Sequence, residues 1–385
     1  MIDRLISQEI SKAAKSVLLL GPRQTGKSTL IHSLKPDLEI NLAHEPTFLE
    51  FSSRSDSLEE RLQALPKGKT IFIDEVQRLP SILNTVQSLI DESKRNRRPL
   101  KFYLSGSSAR KLRRGGANLL PGRVFAFELG PLVAAELDYK VDIKKALEFG
   151  SLPDPWTSSD PGYRRQLLQT YAATYLKEEI QVELRLRSLE GFSRFLMVAA
   201  ENSGKYLDLS KIAARARVPR QAAVRYFEIL EDTLVAHKVE RFDGAGDADL
   251  VKHPRFFFFD VGVLHGILRN FEASSDRIGS LFEHFIFSQI HYSAKARNTD
   301  VKISGFRTRN GVEVDFIVEK EKALFAIECK ATAHVIDSDT NSLHRFSEYC
   351  SRKHELLLVV PSGHSKKMGK VWVLPWTEAL KRMGL

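Results

Sequence analysis

Apolar positions along the chain follow two periods, and the places where one gives way to the other outline its organisation. Val17-Leu18-Leu19-Leu20, Thr70-Ile71-Phe72-Ile73 and Leu100-Lys101-Phe102-Tyr103-Leu104 are short apolar runs of strand length. Stretches of helical spacing separate them, including residues 28–34 and 81–91, and Leu38-Glu39-Ile40-Asn41-Leu42 supplies a further strand. Short strands thus alternate with helix-like stretches through this part of the chain. Residues 138–201 read mainly as helix, interrupted at Leu152-Pro153-Asp154-Pro155 and Asp160-Pro161-Gly162.

Beyond residue 201 the pattern changes again. A helix over Leu209 to Arg217, a turn at Val218-Pro219-Arg220 and a helix from Gln221 to about Thr233 come first. Ala222, Tyr226, Phe227 and Leu230 give the second helix a buried face. Two strand-like runs, Leu234 to Val239 and Arg255 to Asp260, flank a glycine-bearing tip, and the whole outlines a winged helix-turn-helix. Near the C-terminus, a helix beginning at Ile278 carries Leu281, Phe282, Phe285, Ile286 and Ile290 on one broad face. Strands over Val312 to Val318 and Ala323 to Lys330 then alternate about a charged turn.

A chain of 385 residues suggests two or three domains, and 43% hydrophobic with 28% charged residues is globular composition. The formal net charge of +10 favours polyanionic partners. Two cysteines, Cys329 and Cys350, provide no disulfide framework. No apolar stretch approaches the ~20 residues that span a bilayer, and the first residues lack a secretory apolar core. The expectation is a reduced, cytoplasmic protein without a membrane partner.

Gly21-Pro22-Arg23-Gln24-Thr25-Gly26-Lys27-Ser28 follows the first strand directly and precedes a helix. It fits the phosphate-loop pattern G-x-x-x-x-G-K-[ST] in the context that gives the pattern meaning. The glycines let backbone N–H groups turn toward phosphate oxygens, Lys27 brings charge to the outer phosphates, and Ser28 offers a hydroxyl to magnesium. Residues Gly21 through Thr29 are therefore the expected binding loop for ATP and Mg2+. Asp74 ends a buried strand and is the second magnesium candidate, while Glu75 is placed to orient or deprotonate the attacking water. Ser105, at the end of the third strand, could sense the outermost phosphate. Arg110, Lys111, Arg113, Arg114 and Arg123 follow, and Arg123 is the chosen candidate for a phosphate-contacting arginine, in its own site or a neighbour's.

On these motifs residues 1–138 resemble an AAA+-type ATPase core. The order phosphate loop, Ile-Asp-Glu, Leu-Ser-Gly-Ser, Gly-Arg is similar to a widespread prokaryotic ATPase family that joins such a core to a C-terminal domain of long-unknown function. The resemblance implies a parallel sheet with the phosphate-loop strand near its centre, and homo-oligomeric assembly around shared active sites. The expected architecture is α/β: an AAA+-type parallel-sheet core (1–138), a helical lid or linker (139–200), a winged helix-turn-helix (201–265) and an α/β restriction-endonuclease-like domain (270–385).

The last assignment rests on a carboxylate pattern. A tight turn about Glu321-Lys322 would set Asp315 opposite Glu328 and Glu313 opposite Lys330. Facing carboxylates repel unless a cation lies between them. A second divalent cation is the economical explanation, with Lys330 beside it to steady a nucleophilic water or a phosphate. Glu283, embedded in the apolar face of the preceding helix, is a third ligand candidate. Glu283, Asp315, Glu328 and Lys330 resemble the PD-(D/E)XK nuclease constellation, although Val314 stands where that signature has proline.

The combined expectation is a magnesium-dependent ATPase acting on DNA, branched DNA included, with Arg217, Arg220 and Arg225 meeting phosphates. Two alternatives stay open: a nucleotide-controlled protein-interaction switch with an inactive nuclease-like domain, and a transcription regulator.

Overall fold

The computed structural model describes residues 2–54, 56–64, 69–96, 99–107, 120–175, 189–244, 246 and 249–385. Ser108, Arg110, Lys111, Arg113 and Arg114 lie outside the described residues. The chain forms two compact units, one of Asp3–Gly130 with Asp232–Leu234, the other of Pro131–Glu231 with Val235–Leu385.

In the first unit β1 (Ser16–Leu20), β2 (Leu38–Asn41), β3 (Lys69–Asp74), β4 (Leu100–Gly106) and β5 (Val124–Glu128) form one sheet in the order β2-β3-β4-β1-β5. Every pair is parallel, and β1, the strand feeding the phosphate loop, is internal between β4 and β5. The unbroken apolar runs follow from burial on both faces. Leu18, Ile71, Ile73, Phe102 and Leu104 meet Leu83, Val86 and Ile90 of the helix Ile82–Arg95 on one face. Val17, Leu19, Phe72 and Tyr103 meet Ile6, Ile10, Leu30 and Ile31 on the other. Strand alternation thus sends neighbouring residues into two separate cores.

In the second unit the helical stretch is interrupted where expected, between Phe149 and Pro153 and between Thr157 and Pro161, and a proline opens the helix after each break. Helices Pro153–Thr157 and Pro161–Thr170 each carry proline at the first position, where the missing N–H costs no hydrogen bond, and Asp160 caps the second through Gly162 N at 2.8 Å. The two-helix element is present as Leu209–Ala216 and Arg220–Asp232. Asp208 caps the first helix by accepting from Ser210 N at 2.9 Å, and Arg217 closes it in a left-handed conformation, φ 54°. Tyr226, Phe227 and Leu230 are buried as their spacing predicts, and Ala222 is half-buried.

The two strands expected as a wing pair antiparallel, as β6 (Ala236–Arg241) and β7 (Arg255–Phe258). They do not stand apart from the C-terminal sheet: β6 also pairs with β8 (Lys302–Arg307) through Glu240↔Ser304 and Arg241↔Gly305. With β9 (Glu313–Lys320), β10 (Ala323–Cys329), β11 (Glu355–Val360), β12 (Lys366–Met368) and β13 (Val371–Pro375) they make eight strands, ordered β12-β13-β11-β10-β9-β8-β6-β7. The helix Ile278–Ala296 covers Phe316, Val318, Phe325 and Ile327 with Leu281, Phe282, Phe285 and Ile286. Leu343 and Phe346 cover Ile317, Leu324, Ala326 and Leu358 on the opposite face.

Three of the buried titratable groups in this unit have shifts that oppose one another. Burial pushes His265 and His284 down to about 4, each neutral ring bonding a main-chain carbonyl, Glu148 O at 2.8 Å and Phe258 O at 2.5 Å. Burial raises Asp260 to about 6, partly offset by backbone N–H donors. A depressed histidine stabilises fully above its unfolded value near 6.5 and loses that contribution as pH falls toward 4. A raised carboxyl acts in reverse between its unfolded value near 4 and 6. The two histidines therefore contribute less stability as pH falls from 7 to 4, and Asp260 opposes them. Urea midpoints measured at both pH values should drop less, or rise more, in His284→Gln than in the unchanged protein, because the variant lacks the uptake of about one proton on unfolding.

Candidate functional site

The phosphate loop is built around two left-handed residues, Gln24 (φ 61°) and Gly26 (φ 90°), that reverse the chain between β1 and the helix Lys27–Ser33. Gly21 approaches the opposing backbone so closely that a Cβ would lie 2.1 Å from Leu129 O. Lys27 is buried, and its ammonium donates to the loop's own carbonyls, Gly21 O and Pro22 O, each at 2.8 Å. Thr25 Oγ1 donates to Pro22 O at 2.9 Å. Carbonyl oxygens thereby stand where anionic phosphate oxygens would be stronger acceptors.

Opposite the loop, Ser28 Oγ donates to Asp74 Oδ2 at 2.7 Å. The hydroxyl and carboxylate expected to share magnesium are already in contact, and their oxygens are the hard donors that ion takes. The other Asp74 oxygen accepts from Ser105 Oγ and, at 3.1 Å, from Glu75 N. Ser105 is fully buried, and its hydroxyl donates to the Asp74 carboxylate, holding it in place. Glu75 takes a left-handed backbone (φ 59°), a conformation a non-glycine residue seldom adopts outside functional turns. Its carboxylate accepts from Gln77 Nε2, which also reaches Ser107 Oγ at 3.2 Å.

Arg123 is not brought to this loop within the chain. It precedes β5, whose first residue pairs with Ser16 at the start of β1, whereas the phosphate loop leaves from the far end of that strand. Asp91 holds the guanidinium through two bonds of 2.9 and 2.7 Å. Sequence reasoning overlooked Arg4. This buried side chain bonds Thr25 O at 2.6 Å and Gly130 O at 2.8 Å, bracing the loop against the chain that follows β5. Gln77, two residues beyond Glu75 at the end of the strand, is a further polar residue that the motif reading did not include.

In the second unit the β9/β10 register carries the expected alignment, with Ala323↔Lys320 through Ile327↔Phe316 paired, so Asp315 and Glu328 face each other next along the hairpin. Asp315 Oδ2 accepts from Cys329 N at 2.8 Å. Glu328 meets Lys330 Nζ at 3.2 Å and Ser342 Oγ at 3.3 Å. Burial and then the Asp315 charge push Glu328 up to about 8, and burial also raises Asp315. Burial opposes the Lys330 ammonium, but Glu328 and Asp339 outweigh it and raise its pKa. A cation between Asp315 and Glu328 would relieve the repulsion, so these two fit a divalent ion.

Glu283 joins this group only indirectly. It is ion-paired with Arg255, a side chain 2% exposed that also donates to the main-chain Asp315 O at 2.8 Å. Glu313 is paired with Arg307 at 3.3 Å instead of Lys330, and Asp339, 4.0 Å from Lys330 Nζ, is an acid the sequence pattern did not include.

Comparison with known proteins agrees with the nucleotide end. Residues 13–137 match an AAA domain family, and with the loop geometry this supports a nucleotide-binding AAA+ ATPase. Residues 140–274 and 278–379 match two domains of unknown function, DUF8612 and DUF4143. An uncharacterized protein of Mycobacterium tuberculosis is 26% identical over 327 residues, covering 83% of this chain and 71% of that protein. An uncharacterized protein of Haemophilus influenzae is 22% identical over 369 residues, covering 86% of each. Among solved structures, Aeropyrum pernix ORC1 in complex with DNA is 11% identical, covering 72% of this chain and 92% of its own, with a TM-score of 0.32. RuvB of Thermotoga maritima is 17% identical, covering 62% and 87%, with a TM-score of 0.30. Among the described residues no helix is long and apolar enough to cross a membrane.

Proposed function

We propose that the protein is a magnesium-dependent ATPase that acts on DNA through its second unit. The observation that carries this reading is the convergence of Lys27, Ser28 and Asp74 around one loop. When ATP enters, the Lys27 ammonium exchanges two neutral carbonyl acceptors for phosphate oxygens, a stronger charge-assisted contact. Loop N–H groups line the triphosphate, and Glu75, steadied by Gln77, orients a water toward the terminal phosphorus. Magnesium, held by Ser28 and Asp74, neutralises phosphate charge. Assembly with further copies would let an arginine from a neighbour, Arg123 among the candidates, complete the site.

DNA is the favoured partner because Arg217, Arg220 and Arg225 are all exposed on the two-helix element, which has the outline of a winged helix-turn-helix. ATP turnover should rise when DNA is added at low salt and lose that stimulation as salt releases phosphate contacts. A flat response at low salt would remove DNA as the partner.

The C-terminal carboxylates extend the reading to a metal-dependent nuclease, with Asp315 and Glu328 holding the ion and Lys330 steadying water or phosphate. The pairing of Glu283 with Arg255 favours a second reading, in which this domain keeps the nuclease-like form but binds without cutting.

A further inference from the structure

At the end of the five-stranded sheet opposite the phosphate loop, the first unit opens a cavity of about 490 Å³. Its lining includes Lys15, Lys69, Lys94, Lys101 and Arg123 and, among the described residues, no carboxylate. Two of these charges are neutralised from outside the cavity: Asp37 meets Lys69 at 2.8 Å, and Asp91 meets Arg123. Lys15, Lys94 and Lys101 make no ion pair among the described residues. Lys101 donates only to the main-chain Ile10 O and Ser11 O, at 3.3 and 3.0 Å, and its burial without an anion lowers its pKa. Lys94 sits in the last turn of the helix Ile82–Arg95, where it offsets the negative end of the helix dipole. Three ammonium groups without an ion pair among the described residues, set around one hollow, would repel each other less with an anion among them.

A second feature narrows the chemistry of that anion. Phe125, on the edge strand β5, is 41% exposed, and Lys15 Nζ lies 5.1 Å from its ring centre. An exposed aromatic face beside a basic hollow suits a phosphate chain whose bases are free to stack, which a duplex does not offer. Ile90 and Leu100 in the lining give the sugars an apolar wall.

We propose that this hollow and Phe125 bind single-stranded nucleic acid, with phosphodiesters at Lys15, Lys94 and Lys101 and a base on Phe125. The inference extends the reading of a DNA-acting protein but needs none of its hydrolysis chemistry. The test therefore uses full-length Lys27→Ala protein without nucleotide and a short fluorescent oligothymidylate, followed by anisotropy across a salt series. Lys15→Gln with Lys94→Gln, both exposed positions, plus Lys101→Met should lower the slope of log affinity against log salt by about 2. Lys101→Arg should restore its share. Phe125→Ala should weaken oligothymidylate about tenfold and leave an abasic strand of equal length unchanged. An unchanged salt slope, no binding at low salt, equal losses for both strands, or equally tight binding of a mononucleotide would each overturn the proposal. No DNA-stimulated ATP turnover in the protein with Lys27 intact, alongside intact strand binding, would instead count against the ATPase reading alone.

Discussion

Glu75→Gln protein should bind ATP with near-normal affinity and hydrolyse it about 10²–10⁴-fold more slowly, the range expected when a positioned general base is removed. The substitution is well isolated. Glutamine keeps an oxygen that can accept from Gln77 Nε2, so the side chain remains tethered while its negative charge and basicity disappear. Lys27→Ala should fail one step earlier. The buried ammonium is the loop's charged donor, and charge-assisted bonds contribute about 1.5–3 kcal/mol each. Losing two of them should weaken ATP binding by about 10²-fold or more. Calorimetric titration with ATP separates the variants: Glu75→Gln should give heat without turnover, and Lys27→Ala neither. Normal turnover in both would remove the ATPase assignment.

Asp315→Asn and Lys330→Ala should each reduce metal-dependent nicking of plasmid or branched DNA by about 10²–10³-fold, the usual cost of deleting one electrostatic contributor to a phosphoryl-transfer site. Asparagine is preferred at 315 because its oxygen can still accept from Cys329 N, whereas alanine would orphan that donor and confuse instability with lost chemistry. ATP hydrolysis should be unchanged in both, since these residues belong to the second unit. Cleavage that survives both substitutions would be a contaminant's, and the non-cleaving reading suggested by the Glu283–Arg255 pair would then stand.

The two ends of the chain were legible to different depths, for a physical reason. The phosphate loop is a local object: a run of consecutive residues where a strand gives way to a helix sets its backbone, so the places of Lys27 and Ser28 in it could be read from order alone. The β9/β10 hairpin was legible on the same ground, because a tight turn sets register and register sets which side chains face each other. Ser105 and Arg123 were harder. Both lie at strand ends near glycines, but parallel pairing puts one beside Asp74 and the other at the far edge of the sheet, and nothing in their immediate neighbours distinguishes the two.

Patterns of polarity and spacing outlined the nucleotide loop, the paired helices and the carboxylate hairpin, because each depends on contacts a few residues apart or on strand alternation, whereas the parallel core was expected from the family resemblance. Folding in three dimensions decided the rest. It gave Glu283 to Arg255, Arg123 to Asp91, Arg4 to the loop carbonyls, and β6 to the C-terminal sheet. A buried charge takes whichever partner long-range packing brings within reach, and no local rule along the chain names that partner.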